Sequence, residues 1–252
     1  AGGWGDAPDT PEQGNPVPTD LQYANESAWP DVEKDHAAVV TYLDRYVGAL
    51  AATLRRAGVE NDTYVFFASD NGAHSEGGHD VSFFNSTGGL RGFKRSLYEG
   101  GVRSPTCARR PGVVPAGATS AQPWAFWDVL PTLAELAGVD VLPADDLDGA
   151  SIAPLLRGEG GDDEPPRYLY FTWTGAGAPY GYAARRGRYK GVVPNCTDAP
   201  AADDAWELYD LIDDPFETRD LAPAGGDEPQ TALADLRAWV LAGNFSCECF
   251  QC

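Results

Sequence analysis

One short run constrains the fold most: Tyr64-Val-Phe-Phe-Ala68, followed at once by the polar stop Ser69-Asp70-Asn71-Gly72. A β-prone apolar run of this length, closed by turn residues, reads as a strand buried on both faces. Upstream, Val40, Leu43, Val47, Leu50 and Leu54 recur every three or four residues, which predicts one apolar face of a helix from about Asp31 to Ala57. Acidic Asp31, Glu33 and Asp35 open that helix and Arg55-Arg56 close it, as the helix dipole favours, with Gly58 as the stop. His36 falls on the same stripe and is expected to be a packed helix-start histidine rather than a ligand. Helix, short loop, buried strand and polar strand end is the grammar of an α/β protein. In such proteins ligands bind beyond the carboxyl ends of the strands.

Residues 72–104 are rich in glycine and irregular. A connection this long is either functional or disordered, and Phe83, Phe84, Phe93 and Tyr98 within it argue for order. From Arg91 to Arg110 the chain carries Arg91, Lys94, Arg95, Arg103, Arg109 and Arg110 against the single acid Glu99. Elsewhere the balance is opposite: 18 Lys and Arg against 38 Asp and Glu give a net charge of −20. Such a field excludes nucleic acid and anionic membrane surfaces as partners. The basic segment therefore has two readings, a solvated loop or a local site for an anion that the global field would repel. Asp70 and Asn71 likewise form a turn, or offer the carboxylate and amide oxygens that Ca²⁺ or Mg²⁺ takes. His74, three residues on, is placed to face the same pocket, whereas His79 reads as plain loop.

A second helix is expected from about Pro123 to Ala137, with Phe126, Leu130, Leu133 and Leu136 on its buried side and a kink or fresh start at Pro131. Residues 140–167 are acidic and broken by Pro and Gly, and read as a link. Strand-like runs follow at Tyr168–Thr172, Tyr182–Arg185, Tyr189–Val193 and Leu208–Leu211, then a helix from about Thr231 to Leu241. That order predicts a small antiparallel sheet with a helix on one face. Residues 1–150 are thus expected to form one unit with the metal- and anion-binding loops, and 151–252 a small α+β subdomain. The basic run Arg185-Arg186-Gly-Arg188-Tyr-Lys190 faces either a polyanionic substrate or, as an exposed strand side, only water. No stretch reaches the roughly 20 apolar residues of a membrane span.

Five of the seven asparagines begin an Asn-X-Ser/Thr triplet: Asn25, Asn61, Asn85, Asn195 and Asn244. Three of the five cysteines, Cys247, Cys249 and Cys252, crowd the last six residues, while Cys107 and Cys196 stand apart. No His or Cys lies at a finger-like spacing from that cluster, so disulfides fit it better than zinc. Together these features predict the secretory pathway, extracellular or lysosomal, with glycans at Asn25, Asn61, Asn195 and Asn244. A glycan at Asn85 would crowd the expected pocket. The chain contains no methionine, which fits a fragment or processed form of something longer.

Several of these segments resemble the sulfatase family, within it the formylglycine-dependent arylsulfatase type. They are Ser69-Asp70-Asn71-Gly72; Glu76-Gly-Gly; the run from Phe84 through Leu90-Arg91-Gly92-Phe93-Lys94-Arg95 to Tyr98-Glu99-Gly100-Gly101-Val-Arg103; Ala108-Arg109-Arg110-Pro111-Gly112; the helix from Phe126 to Gly138; and Glu207-Leu-Tyr209-Asp210-Leu with Asp214-Pro-Phe-Glu217-Thr-Arg-Asp220-Leu221. The likeness spans about residues 29–221 and implies the C-terminal part of an alkaline-phosphatase-like α/β sulfatase core followed by a small antiparallel sheet packed on a C-terminal helix. It implies a sulfuric ester hydrolase acting on aryl or carbohydrate sulfates. In that family the Asp-Asn pair, here Asp70 and Asn71, binds the divalent cation, usually Ca²⁺ and with Mg²⁺ an alternative. The lysine of the Leu-Arg-Gly-X-Lys-Arg segment, here Lys94, contacts the sulfate group. The family nucleophile is a formylglycine made within Cys/Ser-X-Pro/Ala-X-Arg, and no position here fits that motif; the early Asp-Asp pair of the cation site is absent as well. The chain is therefore expected to be an inactive C-terminal half by itself. Two alternatives remain at this point: a non-catalytic sulfate-binding relative, and a hydrolase of phosphate or phosphonate esters.

Overall fold

Helix α1 runs from Asp31 to Arg56, with acids in its first turn and Arg55 and Arg56 in its last, close to the span its apolar spacing predicts. The computed structural model describes residues 22–139, 147–159, 166–173, 180–196, 200–223 and 225–243. These divide into two units, one drawn from 1–48, 69–105 and 167–252, the other from 49–68 and 106–166.

The first unit is built on a four-stranded antiparallel meander of β3 (Tyr168–Trp173), β4 (Tyr180–Arg186), β5 (Tyr189–Cys196) and β6 (Glu207–Asp210), in the order β3-β4-β5-β6. The loop that precedes it in the chain ends in the one-turn helix α2 (Glu99–Val102). Successive side chains of a strand point to opposite faces, and here both faces are covered. Tyr182, Ala184, Val193 and Leu208 face the last helix (Asp227–Ala242) and meet its Leu233, Leu236 and Val240. Their neighbours Ala183, Val192 and Tyr209 face the other way and pack with Leu97 of the long loop. Two-sided burial explains why these strands read as nearly continuous apolar runs. It also seats the loop that carries Lys94 directly on the sheet. The aromatics expected to order that loop do so: Phe83 and Phe84 pack edge-on against Trp29, at 5.6 and 5.0 Å between ring centres.

In the second unit β1 (Val65–Ala68) pairs antiparallel with β2 (Thr106–Arg109). Here the structure corrects two expectations. Strand β1 is not buried on both faces among the described residues, since Phe66 is 37 % exposed. The helix expected over 123–137 is a short 3-10 turn, Phe126–Asp128, followed by α3 (Val129–Ala137), a fresh start with Pro131 in its first turn. Its leucines Leu130 and Leu133 are exposed, at 58 and 46 %, whereas Pro131, Thr132 and the preceding Asp128 are buried. Asp128 accepts hydrogen bonds from the Ala125 and Ala150 N–H groups at 2.7 and 2.9 Å, and the Thr132 hydroxyl accepts from the Ile152 N–H at 3.0 Å. These bonds tie α3 to the segment entering the short helix Ala153–Leu156. The apolar stripe of α1 is exposed in the same manner, Leu43 at 46 %. Periodicity reports that a helix has an apolar face and says nothing of what covers it.

Cys107 is exposed and Cys196 is buried, and Cys247, Cys249 and Cys252 lie outside the described residues, as does Asn244. Asn25, Asn61, Asn85 and Asn195 are all exposed. No described helix is long and apolar enough to cross a membrane.

Candidate functional site

The turn after β1 and the glycine-laced loop are stitched together through backbone. Gly72 N–H donates to Gly101 O at 2.8 Å, Lys94 N–H to Ala73 O at 2.7 Å and Gly100 N–H to Arg91 O at 2.7 Å. Side chains are excluded from this seam: a Cβ on Gly72 would lie 1.8 Å from Gly100 O, and one on Gly100 would lie 2.1 Å from Gly92 O. Glycine is required here because backbone meets backbone. The result is a cavity of about 450 Å³ lined by His74, Ser75, Glu76, Arg91, Gly92, Phe93, Lys94, Arg95, Ser96 and Tyr98.

Lys94 and His74 therefore share one pocket. Asp70 and Asn71 are not part of its lining; they stand on the turn that leads into it, with Asn71 Nδ2 donating to Asp70 Oδ1 at 2.6 Å. His74 links the two. Burial holds its pKa below the ordinary imidazole value, Glu76 and Asp70 pull it upward, and His79 and Lys94 push it down. Its Nδ1 accepts the Glu76 N–H at 3.1 Å, a bond that a neutral ring makes and an imidazolium cannot.

Glu76 had no role assigned by sequence, and among the described residues it is the acid of the pocket wall. One oxygen lies 3.1 Å from Lys94 Nζ and the other 3.0 Å from Arg95 Nη2. Arg95 adopts a left-handed backbone to meet it, φ 74°, and Glu76 is followed by Gly77 and Gly78 at φ 70° and 84°. Arg91 is turned toward the sheet. Its guanidinium lies 3.7 Å from the Tyr98 ring centre and donates to the Tyr209 hydroxyl at 2.6 Å and to Glu217 O at 3.1 Å. The Tyr98 and Tyr209 hydroxyls both donate to Glu207 Oε2 at 2.6 Å, and burial with that carboxylate raises both phenol pKa values.

Behind the wall sits a buried charge cluster. Lys190, which is 0 % exposed, lies 2.9 Å from Glu99 Oε1 and 2.9 Å from Glu217 Oε1, and Glu217 Oε2 accepts the Glu99 N–H at 2.6 Å. This corrects one reading of the basic run 185–190. Lys190 points into the protein, Arg186 pairs with Asp235 and Arg188 with Asp210 and Asp213, so the cations of the run are paired with acids of the chain itself. His79 is not plain loop either. It is 4 % exposed, stacks on His36 at 3.8 Å and places Nδ1 2.6 Å from Glu33 Oε2, joining the loop to the first turn of α1. The only signal for Lys190 in the sequence is parity: it alternates with Tyr189 on a strand whose next residues are apolar.

For a divalent cation, Asp70 and Asn71 offer oxygen donors of the right chemistry. They are two where Ca²⁺ takes 6–8, and the described residues hold no cluster of three or more His, Cys, Asp or Glu that could complete a site.

Comparisons with known proteins agree on one family. A model described as Sulfatase matches residues 9–139, and one described as N-sulphoglucosamine sulphohydrolase, C-terminal, matches residues 90–236. The chain is 34 % identical to steryl-sulfatase of Mus musculus over 207 residues, 73 % of this chain and 33 % of that protein. It is 36 % identical to arylsulfatase A of Bos taurus over 208 residues, 76 % of this chain and 39 % of that protein. Among solved structures it resembles a protein in complex with its substrate D-glucosamine-2-N,6-O-disulfate, with TM-score 0.66, 26 % identity and coverage of 86 % of this chain and 42 % of that one. It also resembles Ps i-CgsB in complex with k-i-k-neocarrahexaose, with TM-score 0.66, 26 % identity and coverage of 84 % and 44 %. The chain thus spans between a third and two fifths of the two curated relatives' lengths.

Proposed function

Since the chain belongs to the sulfatase family, with the alkaline-phosphatase-like fold of its structural neighbours, we propose that the protein hydrolyses sulfate esters of aryl alcohols or carbohydrates and that this chain supplies the wall that holds the sulfate group. One observation carries the reading: Lys94 and His74 line a single pocket whose loop is bonded, Lys94 N–H to Ala73 O, to the turn bearing Asp70 and Asn71. In it Lys94 binds a sulfate oxygen with its ammonium group. His74, whose Nδ1 accepts the Glu76 N–H, stands on the same wall as a neutral ring, and Gly92 and Gly100 keep the backbone close. Asp70 and Asn71 are the residues of this chain that would hold a divalent cation, which supplies Lewis-acid polarisation of the sulfate. The family's nucleophile motif fits no position of the chain, so these residues bind and orient the sulfate group and do not attack it. The exposed sequons support a secretory-pathway reading.

The test is direct. Phenyl sulfate titrated into the 252-residue chain should shift the amide resonances of Gly92 and Lys94, and Lys94→Met should weaken that binding at least about tenfold, the loss expected of a charge-assisted contact. The chain alone should release no phenol from phenyl sulfate in added Ca²⁺, and calorimetry should find Ca²⁺ binding weaker than micromolar. Unchanged affinity in Lys94→Met would overturn the assignment.

A further inference from the structure

We propose that Glu76 determines specificity in this pocket, favouring a singly charged sulfate ester over the isosteric, doubly charged phosphate ester. The inference rests on the reading of the pocket as a sulfate-ester site. Sulfate and phosphate monoesters have the same shape and nearly the same size, so the geometry of the wall cannot separate them. They differ in charge. A sulfate monoester carries one negative charge at every ordinary pH, whereas a phosphate monoester, with its second pKa near about 6, carries close to two at pH 8.

The wall is built with that difference in mind only if its own charge is held down, and Glu76 holds it down. Among the described residues the lining contains the cations Arg91, Lys94 and Arg95 and the acid Glu76. Arg91 lies 3.7 Å from the carboxylate of Glu207 and is occupied by Tyr209 and the Glu217 carbonyl. Lys94 and Arg95 each take one oxygen of Glu76. Arg95 accepts an unfavourable left-handed backbone in making its contact. A site selected only for tight anion binding would not place a carboxylate there, at a cost in strain, between Lys94 and Arg95. A negative charge near the ligand penalises a dianion by one more unit of repulsion than a monoanion, which is how a site rejects the wrong partner by like charge.

The experiment compares phenyl sulfate with phenyl phosphate at pH 8, following the Gly92 and Lys94 amides of the full 252-residue chain. Glu76→Gln should move the ratio of phosphate to sulfate affinity toward phosphate by about 3- to 10-fold, the effect of one unit charge about 6 Å away in a partly solvated site. Glu76→Asp, which keeps the charge, should retain the wild-type ratio. A measurement on the unaltered chain is independent of any variant's folding: at pH 5, where the phosphate ester carries about one charge, the ratio should close toward unity. A ratio that stays put in folded Glu76→Gln, or in wild type between pH 8 and pH 5, overturns the role of Glu76 and leaves the sulfate pocket standing. If neither ester moves Gly92 or Lys94 in the wild type, the pocket reading itself fails and this inference with it.

Discussion

Lys190→Met is expected to lower stability by about 3–5 kcal/mol, because it leaves Glu99 and Glu217 buried together without their shared cation. Urea denaturation measures it as a fall in the midpoint without a change in slope. The loss should depend on pH in a defined direction. Burial raises the Glu217 pKa above its ordinary 4.5, with Lys190 opposing that shift. A carboxyl raised in the folded state contributes stability that is fully present below its unfolded value and lost as pH rises through its folded value. Removing Lys190 lifts the folded value further. The deficit of the variant should therefore be largest at neutral pH and shrink on acidification toward 4.5, as the Glu217 carboxyl takes up its proton. A deficit independent of pH would mean that packing of the lysine stem, and not its charge, is what matters. Because the Glu99 N–H is held by Glu217, the same variant should also loosen the segment 91–98 and weaken phenyl sulfate binding.

Gly100→Ala should act on the pocket more selectively. Its new methyl group would lie 2.1 Å from Gly92 O and 2.6 Å from Arg91 O, both backbone atoms with no rotamer to escape into. Overpacking of this kind costs about 1–3 kcal/mol. The relief available is to push the Arg91–Gly92 strand of the loop outward, which carries Lys94 with it. The expected result is a chain that still melts cooperatively, several degrees lower, but no longer shows phenyl sulfate shifts at Gly92 and Lys94. Retention of those shifts would place the anion elsewhere.

How much of this was legible beforehand varied with what each residue depends on. Local pattern located α1, the four strands of the meander and the last helix, because apolar spacing and turn residues act over a few positions. The 69–112 motif run located the pocket, since its glycines are dictated by backbone contacts that leave a mark in sequence. What lay beyond reach were long-range pairings. Lys190 looked like one more cation in an exposed run, and its burial follows from Glu99 and Glu217, which are 91 and 27 positions away along the chain. Glu76 appeared only as part of a motif, because its meaning comes from the two cations it meets across the loop. His79 needed Glu33 and His36 on the first turns of α1 to become something other than loop. The stripes on α1 and α3 were recognised as apolar, yet amphipathicity cannot tell a covered face from an open one.

The meander has a temporal consequence as well as a static one. β4 and β5 are paired along both edges, β4 with β3 and β5, and β5 with β4 and β6, while β3 and β6 end the sheet. In deuterium oxide their amide protons should be the last to exchange, doing so only when the whole unit opens. The loop bearing Lys94 is anchored near that sheet by Leu97, Arg91 and Tyr98, and within itself it is held by turn bonds. It should exchange by smaller, faster openings, so that the surface proposed to meet the anion can breathe while the scaffold beneath it stays closed.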